Sequence, residues 1–230
     1  MTRHLTAQQR HYLKLMGITI WAERNSVPET PVVEPADAAP LPENDAAWDQ
    51  LRKQVAACTL CDLHRGRTQT VFGVGDPHAH WLLIGEAPGA EEDRQGEPFV
   101  GRAGKLLNAM LSAIGLDRKQ VFIANILKCR PPSNRDPRPE EVSACESYLQ
   151  QQITMIKPRI ILALGRIAAQ NLLKVDTPIG KMRGHCFEYA DTGIPVVVTY
   201  HPAYLLRSPR EKRKSWQDLQ LAMQIYKEQS

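Results

Sequence analysis

Four short apolar runs, each leading into a glycine or a polar side chain, constrain the fold of this chain more than any other feature. They are Trp81–Gly85, Val121–Asn125, Arg159–Leu164 and Pro195–Tyr200. Compact runs of β-branched and apolar residues suit strands buried on both faces. Between them lie segments of helical length, Ala103–Ile114, Pro139–Ile156 and Arg166–Leu173. Strands alternating with such segments predict right-handed crossovers and a mainly parallel sheet covered on both sides. The expected fold is a three-layer α/β/α sandwich with a central four-stranded, mainly parallel sheet. Ligands bind such sheets beyond the carboxyl ends of the strands. There the first run enters Gly85-Glu-Ala-Pro-Gly89, the second ends on Asn125, the third meets Gly165 and the fourth meets His201-Pro202. A carboxylate, an amide, a glycine allowing close approach and an imidazole are expected along one edge.

The composition shifts along the chain and divides it into three. Residues 1–25 read as an amphipathic docking peptide, with Tyr12, Leu13, Leu15, Met16, Ile18, Ile20 and Trp21 as its apolar content and Gly17 as an interruption. Residues 26–45 carry Pro28, Pro31, Pro35, Pro40 and Pro42, a composition that reads as a flexible linker. Residues 46–230 are expected to form the α/β domain, which is large enough for a substantial core. Net charge is −3 over the first 50 residues and +7 over the rest, a balance that suits contact with a polyanion. The longest apolar runs are too short to span a bilayer, and no secretory signal opens the sequence, so a cytoplasmic location is expected.

Five cysteines are present, and disulfides are improbable in that compartment. The local pair Cys58-Thr-Leu-Cys61, joined by Cys129 and Cys145, can close a tetrahedral zinc site or hold a cubane iron–sulfur cluster. Spacing does not separate the two. Cys186 has no evident partner and reads as a packed or semi-exposed thiol. The Gly85–Gly89 turn lacks the spacing of a dinucleotide fingerprint and of a phosphate loop. No Gly-x-Ser-x-Gly elbow is present, which disfavours acyl hydrolysis.

From Val55 to Tyr226 the chain resembles the family 4 uracil-DNA glycosylases, an iron–sulfur class. The resemblance is carried by Cys58-Thr-Leu-Cys61, Gly66-Arg-Thr68, Val71-Phe-Gly-Val-Gly75, Gly85-Glu-Ala-Pro-Gly89, Glu91-Glu92-Asp93 and Gly96-Glu-Pro-Phe-Val-Gly-Arg-Ala-Gly104. It continues through Asn125-Ile-Leu-Lys-Cys-Arg-Pro-Pro132, Asn134-Arg135, Cys145, Leu164-Gly165 and His201-Pro-Ala-Tyr-Leu-Leu-Arg207. It implies a four-iron, four-sulfur cluster on Cys58, Cys61, Cys129 and Cys145 with a structural role. It also implies a monofunctional enzyme that hydrolyses the glycosidic bond of uracil flipped out of DNA, since no lysine stands where a Schiff base would form.

In this reading Phe99 stacks on the base, Asn125 bonds its edge, and His201 donates to O2 as charge accumulates there. The turn containing Ala87 and Gly89 lines the pocket. Glu86 is expected to position the water, because Ala87 occupies the place where better-known uracil glycosylases have an aspartate. Leu205 or Leu206 is expected to wedge into the gap left by the base, with Arg207 on a phosphate. Lys128, Arg130, Arg135 and Arg138 are expected to touch phosphates as well.

The stretch Gln9–Trp21 resembles the N-terminal peptide of the psi subunit of the bacterial DNA polymerase III clamp loader, above all in Leu-x-Gly-Ile-Thr-x-Trp. That likeness implies docking on the clamp-loader ATPase subunits, in company with the chi subunit. A simple N-terminal helix folded on its own domain is the plainer alternative. A rival overall reading follows: a clamp-loader adaptor on a glycosylase fold, with weak or no activity.

Overall fold

The computed structural model describes residues 43–229. The docking peptide expected over 1–25 lies outside them, as does nearly all of the linker expected over 26–45. The elements are α1 (Glu43–Ala56), β1 (Val74–Gly75), β2 (Trp81–Gly85), α2 (Ala90–Gln95), α3 (Arg102–Ala113), β3 (Val121–Asn125) and α4 (Pro139–Ile156). They continue with β4 (Ile160–Leu164), α5 (Arg166–Leu173), α6 (Ile179–Met182), β5 (Cys186–Glu188), β6 (Pro195–Thr199), α7 (Pro202–Arg207) and α8 (Lys212–Glu228).

The strands form one sheet in the order β1-β3-β2-β4-β6-β5. Its centre, β3-β2-β4-β6, is parallel throughout and corresponds to the four apolar runs. The sheet nevertheless has six strands, not four. β1 and β5 pair antiparallel at the two edges. Both are too short to show an apolar pattern. β1 is two residues long and ends on Gly75, where an added Cβ would stand 1.8 Å from the Val121 carbonyl oxygen. β5 is three residues long and places Cys186 in solvent.

Every residue of the four central strands is buried, and successive side chains serve opposite layers. Leu82, Ile84, Phe122, Ala124, Ile161, Ala163, Val196 and Val198 pack with α1, α4 and α5. Trp81, Leu83, Val121, Ile123, Ile160, Leu162 and Val197 pack with α3, α7 and α8. The helices are patterned to match. On α3 and just beyond it, Leu107, Met110, Leu111 and Ile114 repeat at helical spacing and are all buried. Pro139 opens α4, Glu141 accepts from the Arg138 N–H at 2.9 Å, and Lys157 ends the helix in the left-handed region. The parallel register sets Gly85 beside Asn125 and Leu164 beside Thr199, so the residues following these strands emerge on one edge.

Candidate active site

A cavity of about 440 Å³ opens on that edge. Glu86, Ala87 and Gly89 enter it from the turn after β2, Asn125 from the end of β3, and His201 from the junction of β6 with α7. Phe99 comes from the loop before α3, Arg135 and Asp136 from the loop after β3, and Arg207 from the end of α7. Two glycines make the convergence possible. A Cβ on Gly85 would lie 2.4 Å from Asn125 Oδ1 and 2.7 Å from the Phe99 ring. Gly165 adopts φ +98° and passes so close to His201 that a Cβ would fall 2.9 Å from the histidine Cβ.

Phe99 is buried, with a backbone φ of 55°, a conformation that a non-glycine residue holds only under constraint. The constraint is visible. Arg118 donates to the Pro98 and Phe99 carbonyls. Glu92 accepts from the Val100 N–H at 3.0 Å, the Gly101 N–H at 3.2 Å and the Gly89 N–H at 3.1 Å. One carboxylate thus ties together two segments that line the cavity, the turn at Gly89 and the loop after Phe99. The ring of Phe99 lies 5.4 Å from that of His201, tilted by 31°.

The electrostatics are specific to each group. Burial, then the positive charge of Arg207, lowers His201 from 6.5 to about 4 against the pull of Glu92, so the imidazole is neutral near pH 7. Its Nδ1 accepts from the Ala203 N–H at 3.1 Å, which leaves the proton on Nε2. Burial and the Asp136 carboxylate raise Glu86 from 4.5 to about 7, with Arg166 opposing. Arg166 pairs with Asp136 at 2.8 Å. The Asn125 side chain is 2% exposed, and its Oδ1 has no hydrogen-bond partner among the described residues. An acceptor left bare in a cavity wall is costly unless a ligand supplies the donor.

Some expected contacts are placed differently. Leu205 is 1% exposed and packs from α7 into the core, so it is not free to wedge into DNA; Leu206 is partly exposed. Lys128 is buried, not at a phosphate. Its ammonium donates to the Asn125 carbonyl at 3.0 Å and to Gln152 Oε1 at 2.6 Å. Arg135 lines the cavity with its guanidinium engaged by Glu141, one pairing being 2.9 Å. Arg130 lies outside the cavity lining, half-exposed, and donates to Asn134 Oδ1 at 2.8 Å. Glu92, Asp136 and Arg166 had no role assigned from sequence. Glu92 carried a readable signal, three residues after a glycine at a helix start; the other two acquire roles only through tertiary contact.

Cys58, Cys61, Cys129 and Cys145 line a second, small cavity. Arg67 donates to Cys129 Sγ at 3.1 Å, and the Lys128 N–H donates to Cys145 Sγ at 3.3 Å. Among the described residues, no three His, Cys, Asp or Glu side chains are grouped so as to hold a single metal ion. No helix among them is long and apolar enough to cross a membrane.

A sheet with a parallel centre and a polar cavity at the carboxyl edge of that centre, walled by these motifs, defines a class. The family model described as the uracil DNA glycosylase superfamily matches residues 72–220, and the chain belongs to that superfamily. Within it the match narrows. The chain is 48% identical over 168 residues to the Type-4 uracil-DNA glycosylase of Archaeoglobus fulgidus, covering 70% of this chain and 84% of that protein. It is 44% identical to that of Pyrobaculum aerophilum, covering 74% and 90%, and 45% identical to that of Thermotoga maritima, covering 68% and 81%. The chain belongs to the type-4 uracil-DNA glycosylases.

Proposed function

We propose that the cavity receives a uracil turned out of DNA and that its wall groups drive hydrolysis of the bond between base and sugar. A base inside a duplex is out of reach, so such chemistry needs extrusion. The Phe99 ring supplies an apolar surface that replaces lost base stacking. Asn125 Oδ1 accepts from uracil N3–H while the amide nitrogen donates to O4. Cytosine presents an acceptor and a donor in the reverse order and is refused. As the C1′–N1 bond breaks, its electron pair moves onto the uracil ring, and His201 Nε2–H donates to O2. A neutral imidazole there needs no proton loss before reaction and stabilises the developing anion. Glu86 orients a water toward C1′, and Leu206, Arg207 and Arg130 face the DNA.

The orphaned Asn125 acceptor in the wall of the cavity that His201 also enters is the observation that carries this reading. Release of uracil from a labelled oligonucleotide in single-turnover conditions tests it. The wild-type protein should leave an unbroken abasic strand. Asn125→Ala and His201→Ala should each slow release by roughly 100-fold or more; variants that keep the wild-type rate would refute the assignment.

Cys58, Cys61, Cys129 and Cys145 are assigned to a four-iron, four-sulfur cluster. Four thiols lining one cavity suit a cluster in which each meets a separate iron. N–H donors on two of the sulfurs are the partners that thiolate ligands take. Bound there, the cluster supplies a covalent tie between loops. A brown protein absorbing near ~400 nm is expected; a colourless one with stoichiometric zinc would contradict the assignment. Residues 1–25 are assigned, on their psi-like sequence alone, to docking on the clamp loader, which would put uracil removal beside the replication fork in the cytoplasm. Co-elution with the clamp loader, lost on deletion of residues 1–25, is the expected result.

A further inference from the structure

Beyond the cavity rim, residues 207–214 contain five cations, Arg207, Arg210, Lys212, Arg213 and Lys214, against one acid, Glu211. Lys214 is engaged by Glu211 at 2.8 Å. Arg210, Lys212 and Arg213 are exposed, and none has an ion pair or hydrogen bond among the described residues. Their position is unfavourable for the fold. α8 begins at Lys212; its N-cap, Glu211, is taken by Lys214, and its first turn carries no acid. The start of a helix is already partly positive, so cations there oppose its stability. Helix stability therefore does not account for them, whereas an external polyanion would.

Their place in the molecule supports this. α8 runs against the direction of the parallel strands. Its far end sets Tyr226 on Trp81 at the start of β2, with ring centroids 5.3 Å apart. Its beginning therefore stands at the carboxyl edge, where the cavity opens. The turn Pro209–Glu211 joins it to α7, whose Arg207 lines that cavity. We infer that Arg210, Lys212 and Arg213 form a phosphate-binding ridge that grips the DNA backbone on one side of the flipped nucleotide. The inference rests on the reading that the cavity receives that nucleotide. Arg210, Lys212 and Arg213 fall within four consecutive residues, so together they can meet neighbouring phosphates of one strand.

The test compares the triple variant Arg210→Gln, Lys212→Gln, Arg213→Gln with a charge-matched control, Lys119→Gln, Lys157→Gln, Lys227→Gln. The control residues lie beside the starts of β3 and β4 and the end of α8, at the opposite edge. Uracil release is followed against salt concentration on a long duplex and on duplexes truncated close to the uracil on either side. The ridge variant should lower kcat/KM at low salt by roughly tenfold and flatten its logarithmic salt dependence by about 0.9 per lost phosphate contact. Saturating kcat should stay unchanged, and truncation on one side only should erase the difference from wild type. Equal slopes for ridge and control variants, or a difference that survives both truncations, would overturn the ridge while release itself continues. A wild-type protein that releases no uracil would instead refute the cavity reading, and the ridge with it.

Discussion

At the scale of single residues, the proposed chemistry depends on two groups held away from their ordinary protonation. His201 is lowered to about 4 by burial and Arg207, and Glu86 is raised to about 7 by burial and Asp136. If Glu86 orients water as a carboxylate, kcat/KM should rise through about pH 7 in a single step, and Glu86→Gln should remove the step. Asp136→Asn takes away a repelling charge and should move the step to lower pH; Arg166→Gln should move it higher. His201 should add no inflection between pH 5 and 9. The linked effect on stability has a definite sign. A carboxyl raised on folding contributes stability that is complete below about 4.5 and lost as pH rises through about 7. Glu86→Gln should therefore be the more stable protein at pH 8, by roughly 2 kcal/mol once partial exposure is allowed for, and not at pH 4; thermal melts at both values check this. Glu86, Asn125 and His201 were legible because each directly follows or ends an apolar run. Asp136 and Arg166 were not, since their influence on Glu86 exists only once separate loops meet.

At the scale of elements, the short helix α7 answers to two demands at once. Its sequence, apolar then basic, reads as a DNA wedge, yet a helix carrying two adjacent leucines turns them to different sides. Leu205 is buried in the layer with α3 and α8, and Leu206 faces outward in part. Leu205→Ala should lower stability by about 2–5 kcal/mol, as core truncations do. Leu206→Ala should leave the melting temperature nearly unchanged and weaken engagement of duplex substrate. Calorimetry together with kcat/KM on duplex and single-stranded substrates separates the two; equal destabilisation by both would contradict the assignment. The loop carrying Phe99 makes a related point. Its sequence motif was legible, but its φ of 55° and the Val100 and Gly101 N–H donors that reach Glu92 were not, because they are set by how the chain closes on itself.

At the scale of the whole molecule, the parallel centre of the sheet followed from hydrophobic run length, since strands buried on both faces leave no other pattern. The edge strands escaped because two residues at Val74–Gly75 and three at Cys186–Glu188 carry no periodicity. The four cysteines were readable as a set, and the structure adds how they meet the cavity. The Lys128 ammonium donates to the Asn125 carbonyl while its backbone N–H donates to Cys145 Sγ, so one buried residue joins the thiol cavity to the end of β3. The central claim is that these distant parts converge to hold one unstacked pyrimidine. A crystal structure of the protein on duplex DNA carrying 2′-fluoro-deoxyuridine, whose glycosidic bond resists cleavage, tests it most directly. The uracil should lie against Phe99, with Asn125 on its N3 and O4 edge and His201 Nε2 on O2. A base left in the duplex, or lodged away from these three residues, would contradict the account.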